Sequence, residues 1–314
     1  MSWKIQIFKA KTKLKHVRYW LEAKVSFAML GALRLLPMKS AMTLNAKLLQ
    51  FIGPFLPRHK MVIENLTQAF PEKDNAEIKK IARGMWRNIG RLISEYIYLD
   101  QLFDYDPDSD KVGLVEVEGE DIFRRLHAEG KPCIFFTGHV GNFELLPICA
   151  ATYGLEVTAL FRPPNNPYIA ERLLASRTTE MGHLVPSKAG AAWGLARALD
   201  NGQSVGVLVD QKFARGIVSE FFGRPVRTNP LLPKLARQFN VPVYPARCIR
   251  LPGGRFRLIL EEELVLPRDD NNEVDVAQSA QMLNDVVERW VRETPEQWMW
   301  LHRRWISNSE NPSK

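Results

Sequence analysis

Cysteine is scarce here: Cys133, Cys149 and Cys248 are the only three in 314 residues, and each sits beside an apolar residue or proline. That is too few for a disulfide framework and fits a reduced, cytoplasm-facing protein. No Cys/His cluster has zinc-ligand spacing, and no glycine-rich phosphate loop is present, so neither a metal nor a cofactor is implied. Repeats and low-complexity tracts are absent. A clean run of about 20 apolar residues is also lacking, although a membrane-spanning helix needs one. The best stretch, "VSFAMLGALRLLP" (25–37), is interrupted by Arg34 and preceded by Glu22 and Lys24. A single marginal span is the alternative, and the basic flank before it would place the N-terminus in the cytoplasm. A signal peptide is not expected, because the basic region is too long and no small-residue cleavage site follows.

Positive charge is in surplus. The formal net charge is +8, which favours anionic partners. Lys4, Lys9, Lys11, Lys13, Lys15, Arg18 and Lys24 stand against a single Glu22 in the first 24 residues, interleaved with Trp3, Ile5, Ile7, Phe8, Tyr19 and Trp20. Basic residues mixed with Trp and Tyr suit a membrane interface, where the rings sit at headgroup level. The alternative is a solvated basic arm. A second amphipathic segment, "AMTLNAKLLQFIGPFLP" (41–57), follows. Residues 1–57 therefore read as helices lying on or dipping into a membrane, and 58–314 as a single domain. No nucleic-acid module is present and no nucleic-acid partner is expected.

Between 58 and 103 the apolar residues recur at helical spacing, with Ile78, Ile81, Met85, Ile89, Leu92, Ile93, Tyr96 and Ile97 on a packed face. From about residue 113 short apolar runs alternate with helical segments. "LVEVEG", "PCIFFTG", "LEVTALF" and "SVGVLVD" read as strands, and "VPVYPARCIRL" and "RFRLILEEEL" as a pair joined by the turn at Pro252-Gly253-Gly254. The fold class is α/β: a mixed, mostly parallel central sheet flanked by helices, with an N-terminal membrane-associated helical segment. In open sheets of this kind, sites form beyond the carboxyl ends of strands.

The stretch "TGHVGNFE" (137–144) falls at such an end. Gly138 and Gly141 permit a tight turn beside His139. A helix starting near Asn142 would aim its free N–H groups at the same crevice, with Glu144 in its first turn. Asp210 ends "SVGVLVD", followed by Gln211 and Lys212. From a neighbouring strand it can accept a hydrogen bond from the histidine and set its tautomer, or merely cap the next turn. Arg162 emerges from "LFRPPNNPY" with two prolines behind it, a rigid mounting suited to binding phosphate or carboxylate, or to a structural salt bridge. Asn165 and Asn166 read first as turn residues. His139, Glu144, Asp210 and Arg162 are the candidate catalytic residues, and Gly141, Asn142, Asn166, Gln211 and Lys212 the candidate substrate contacts. His183 reads as structural, and His302 as part of a surface or interfacial segment.

Five stretches then match a known family in order: "RHKMVIENLTQAFPEK" (58–73), "GHVGNFELL" (138–146), "FRPPNNP" (161–167), "DQKFARGIVSEFFGRPVRTNP" (210–230) and "TPEQWMWLHRRW" (294–305). "GHVGNFE" resembles the His-x4-Glu signature of the glycerolipid-acyltransferase superfamily, and the chain as a whole resembles the late lipid A acyltransferases of Gram-negative bacteria. The resemblance implies transfer of a fatty acyl chain from acyl carrier protein to a hydroxyl of an acylated, phosphorylated disaccharide lipid, at the cytoplasmic face of the bacterial inner membrane. It casts His139 as general base, Glu144 as the second motif residue where many relatives have Asp, and Arg162 as a contact to the acceptor or the developing charge. Asp210 matches an acidic residue that pairs with the histidine in phosphatidylinositol mannoside acyltransferases. Gly141 and Asn142 would donate to the oxyanion. Other acceptors stay open, among them a lysophospholipid, an ornithine lipid or a glycolipid. So does a non-catalytic peripheral lipid-binding protein, against which the intact set of four argues. Whether Glu144 or Asp210 orients the histidine is left to the structure.

Overall fold

A computed structural model describes residues 3–109, 111, 113–161, 164–177, 183–186 and 190–306. Arg162 lies outside them, as do the side chains of residues 3–11, including Trp3, Ile5, Ile7 and Phe8.

The chain opens with helices. α1 (Trp3–Arg34) and α2 (Met38–Ile52) are followed by α3 (His59–Ala69) and α4 (Asn75–Glu95). α4 starts sharply because Asp74 and Glu77 form a capping box: the Asp74 carboxylate accepts the Ala76 and Glu77 amides, and Glu77 accepts that of Asp74. Such a cap is worth about 1 kcal/mol. α2 packs directly on α4, with Asn45 donating to Ser94 across the contact. α1 is joined to the remainder by polar ties: Tyr98 donates to the carbonyls of Leu33 and Leu36, and Asn166 to that of Tyr19. Among the described residues no helix is long and apolar enough to cross a membrane. α1 and α2 instead leave Leu14, Val17, Leu21, Val25 and Met29, then Leu44, Leu48 and Phe51, exposed at helical spacing on each helix.

A short helix, α5 (Leu99–Leu102), leads into the alternating region: β1 (Val115–Glu118), α6 (Glu120–Glu129), β2 (Ile134–Thr137), α7 (Leu145–Thr152), β3 (Val157–Phe161), α8 (Pro167–Arg177), β4 (His183–Pro186), α9 (Ala191–Asp200) and β5 (Ser204–Leu208). A separate hairpin, β6 (Ile217–Phe221) with β7 (Arg224–Thr228), comes next. α10 (Leu231–Phe239), β8 (Val243–Arg250), β9 (Phe256–Leu260) and α11 (Val276–Glu293) complete the chain. The main sheet runs β1-β9-β8-β2-β5-β3-β4. Its pairs are parallel except β8 with β9, which are antiparallel. The expected mixed, mostly parallel sheet is what forms, and the hairpin at Pro252–Gly254 supplies its antiparallel part.

β2 is covered on both faces, which is why "CIFF" lacks alternation. Ile134 and Phe136 join one cluster with α4, α11 and the buried Trp290 and Trp298. Cys133 and Phe135 join another with α6 and α7. The register lines up Tyr244, Phe135, Gly206, Ala159 and Leu184 in one row across the strands. Gly206 and Ala159 are small, so the α7 face of that row is hollow.

Candidate active site

The turn after β2 carries the first group. Gly141 has φ of +57°, and a Cβ there would run into the Cys248 carbonyl oxygen, so only glycine lets the chain cross β8 at this point. The C-terminal segment braces the same turn. Gly141 donates to the Gln297 carbonyl (2.9 Å), Met299 donates to that of His139 (3.1 Å), and Val140 bridges to Trp298.

Asp210 lies just beyond β5, the strand beside β2, and is 1% exposed. It accepts three hydrogen bonds of 2.7 Å: from the His139 backbone N–H, from the His139 ring at Nδ1, and from the Trp298 indole. An ionised carboxylate can only accept, so Nδ1 carries the hydrogen and Nε2 keeps a lone pair. Burial pulls the His139 pKa down, but the Asp210 charge and hydrogen bond, aided by Glu144, outweigh it, and the net direction is up. Burial alone would raise the Asp210 pKa. The His139 charge and hydrogen bonds and the nearby His302 reverse that, and hold it well below the carboxylate range. The Gln211 side-chain nitrogen stands 3.2 Å from Nε2.

Glu144 stands immediately before α7, and its carboxylate receives the Tyr96 hydroxyl. It lines the same cavity as His139, and its charge adds to the rise of the His139 pKa. The contact to Nδ1 at 2.7 Å makes Asp210 the carboxylate bonded to the imidazole, and the Glu144 carboxylate holds the Tyr96 hydroxyl.

Three expectations are corrected. α7 begins at Leu145, not near Asn142, because the chain turns through Phe143 and Glu144 first. Gly141 and Asn142 do not offer free donors: the Gly141 N–H is spent on Gln297, the Asn142 amide faces the Cys248 thiol, and its buried side chain donates to Glu95 at 3.0 Å. His302 is no surface residue. Its ring lies 6.3 Å from that of His139 and 5.5 Å from that of Trp298, and burial lowers its pKa to about 4. Asn166 is buried and holds α1 through Tyr19, whereas its neighbour Asn165 lines the cavity, as do Gln211 and Lys212. His183 opens β4 and takes no part.

Sequence reasoning did not single out Tyr96, Trp298 or Glu95. Trp298 and His302 sit in "TPEQWMWLHRRW", so that quoted stretch was their signal. By spacing alone Tyr96 reads as one residue of a packed helix face.

The groups open on a cavity of about 1210 Å³. His139, Glu144, Tyr96, Gln211 and Lys212 stand at its polar end. Phe135, Gly206, Ala159, Val157, Ala150 and Phe123 line an apolar extension between the sheet and α7, and Leu30 of α1 reaches the cavity from the N-terminal side. The arrangement can take a proton at Nε2 beside a long hydrocarbon-lined space.

Comparison with known proteins agrees in scale. The chain is 27% identical over 315 residues to the lipid A biosynthesis lauroyltransferase of Escherichia coli K12, covering 98% of each. It is 26% identical over 306 residues to that organism's lipid A biosynthesis palmitoleoyltransferase, 92% of each. With its lipid A biosynthesis myristoyltransferase it shares 24% over 302 residues, 91% of this chain and 87% of the other. The sequence profile of the bacterial lipid A biosynthesis acyltransferases matches residues 7–307, and the chain belongs to that family.

Proposed function

We propose that this protein moves a fatty acyl group from the thioester of acyl carrier protein to a hydroxyl of a phosphorylated lipid A precursor, with His139 as general base. One observation carries the proposal: a histidine whose Nδ1 is held by buried Asp210 presents Nε2 to a cavity of about 1210 Å³ with an apolar extension. The volume exceeds the roughly 300–1,000 Å³ of ordinary small-molecule sites, and the lining suits a hydrocarbon chain.

The acceptor hydroxyl takes the place now held by the Gln211 amide and gives its proton to Nε2. Its oxygen bonds to the thioester carbonyl carbon. The C–S bond then breaks, the sulfur takes the proton back from His139, and an ester and a free thiol result. Asp210 stabilises the transient imidazolium without itself taking the proton. A thioester is already activated, so no acyl-enzyme step is invoked. Glu144, fixed by Tyr96, faces the acceptor, and Arg162 keeps the acceptor-contacting role that the family resemblance assigns it.

The acceptor is a membrane lipid, and the reading places the enzyme at the cytoplasmic face of the inner membrane. The exposed apolar residues of α1 and α2, flanked by exposed Lys13, Lys15, Arg18 and Lys24, support this, since apolar residues rimmed by lysines bind an anionic interface. Leu30 links that helix to the cavity.

The test is acyl transfer from acyl-loaded carrier protein to the acylated, phosphorylated disaccharide. His139→Ala is expected to lose about 10²- to 10⁴-fold in rate while staying folded, with Glu144→Ala also strongly impaired. Near-normal turnover by folded His139→Ala overturns the assignment. Mass spectrometry of lipid A from cells lacking the gene is expected to show one acyl chain missing; unchanged lipid A assigns another acceptor.

A further inference from the structure

A second cavity of about 270 Å³ opens at the start of α2, between α4 and the β8–β9 hairpin. It is separate from the cavity that holds His139. Its cationic lining comprises Lys39, Arg91, Arg250 and Arg255.

These four are not equally matched by carboxylates. Arg250 is buried and satisfied: it donates to both oxygens of Glu95, through Nε at 2.9 Å and through Nη2, and to Asn88. Arg255 shares Glu116 with Arg257, and its buried Nε has no partner. Arg91 makes no hydrogen bond or ion pair among the described residues. Glu95 is the one carboxylate that acts on it, and both Glu95 oxygens are already occupied by Arg250 and Asn142. Burial, with Arg87 and Arg250 as like charges beside it, lowers the Arg91 pKa. A half-buried guanidinium among other cations is costly unless an anion joins it.

The backbone adds to the same sign of potential. α2 starts here after Pro37, with no side-chain cap and no acidic residue in its first turn. The Ser40 and Ala41 amides turn back to the Pro37 carbonyl, so the amides of Met38 and Lys39 and the helix dipole are what this end offers, with no carboxylate in the first turn to offset them.

We propose that this cavity is a binding site for a phosphate-type anion, taken by Arg91 and Arg255 with Lys39 and the α2 N-terminus completing the cradle. Bidentate guanidinium contacts match phosphate oxygens in geometry and charge. The anion comes either from a lipid headgroup or from free phosphate. The site adjoins the α1–α2 junction, where Leu35 is 86% exposed, so a headgroup at the bilayer surface is within its reach. Its floor is the Glu95–Arg250 pair, and Glu95 also holds Asn142 in the turn after His139. Anion binding thereby steadies the network that fixes that turn.

Full-length protein in detergent is titrated calorimetrically with inorganic phosphate at constant ionic strength. Saturable binding is expected, weakened by about tenfold or more in Arg91→Gln and in Arg255→Gln, and unchanged in Lys234→Gln on the far helix α10. Absence of saturable binding in the wild type overturns the proposal, and so does equal weakening by Lys234→Gln. Arg91→Gln removes like-charge repulsion and no hydrogen bond, so in phosphate-free buffer it is expected to melt no lower than wild type. A clear drop would make Arg91 a structural cation and also overturn the site. Flotation with phosphatidylethanolamine vesicles, with and without phosphatidylglycerol, identifies the source. Weakened flotation of Arg91→Gln on the phosphatidylglycerol vesicles supports a headgroup ligand; unchanged flotation with lost phosphate binding supports free phosphate. None of these readouts needs turnover, so the site and the acyl-transfer proposal stand or fall separately.

Discussion

His139 and Asp210 show how two side chains set each other's charge. The Asp210 pKa is depressed below 3.8 and the His139 pKa is raised above 6.5. The depressed carboxylate contributes stability that is present above pH 3.8 and lost as pH falls through its folded pKa. The raised imidazole contributes stability that is complete below pH 6.5 and lost as pH rises through its own folded value. Both contributions are complete only between those two ordinary values. The proposed general-base role has the opposite need, since Nε2 must then be unprotonated. The acid limb of kcat/KM is therefore expected above pH 6.5. Asp210→Asn removes the charge that offsets burial, so that limb moves to lower pH while the rate falls by about 10⁴ through loss of the correct tautomer. A pH–rate profile of the two proteins checks this; a limb that stays in place excludes Asp210 as the group that tunes His139. His302, with a pKa of about 4, stays neutral at neutral pH and adds no repulsion when His139 takes its proton.

Elements decide the shape of the space beside those residues. β5 places Gly206 between Phe135 of β2 and Ala159 of β3, facing the cavity. A Cβ at this glycine would meet Val157 Cγ1 at 3.4 Å and Ala159 Cβ at 3.8 Å, ordinary contacts. Gly206→Leu is therefore expected to fill the cavity without moving the backbone. Each methylene excluded from an apolar lining costs about 0.8 kcal/mol, so the variant should turn over shorter acyl donors in preference to longer ones. A competition assay with mixed acyl-carrier proteins measures the shift, and an unchanged preference places the chain elsewhere. The end of α4 sets another wall with Ile93, and Tyr96 just beyond it. Asp74→Ala removes the α4 capping box at about 1 kcal/mol, which for a chain of this size lowers Tm by roughly 1–2 °C with little change in rate. A thermal melt alongside the transfer assay separates the two.

At the scale of the molecule the question is how a sheet enzyme meets a lipid. The exposed residues of α1 and α2 combine apolar area with lysines, and such binding has an apolar part and a salt-screened part. Removing residues 1–24 is expected to weaken membrane sedimentation, most visibly at high salt, where the remaining apolar contacts act alone. Unchanged partitioning would remove α1 from the interface. The helix is also tied to the body by Tyr98, Asn166 and the ring contact of Arg172 with Phe27, 5.1 Å apart. Truncation thus tests docking of the whole protein and not a free arm.

The sequence by itself determined the alternation of strands and helices, the antiparallel turn at Pro252–Gly254 and the glycine-framed histidine at the end of β2. Periodicity, glycine and proline act locally, and their signals survive without tertiary context. It also placed Asp210 at the carboxyl end of a strand, because strand ends are marked locally; the sheet order then set that strand beside β2. Only the tertiary structure decided which carboxylate reaches the ring. Glu144 is near in sequence but turns toward Tyr96, and Asp210, 71 residues away, meets Nδ1 at 2.7 Å. The fates of Gly141 and Asn142 were hidden for the same reason: the partners that consume their donors come from the C-terminal segment, β8 and α4. Long-range pairing also brought His302 beside His139. No local rule encodes such a contact, because β-strand register and segment packing choose the neighbours.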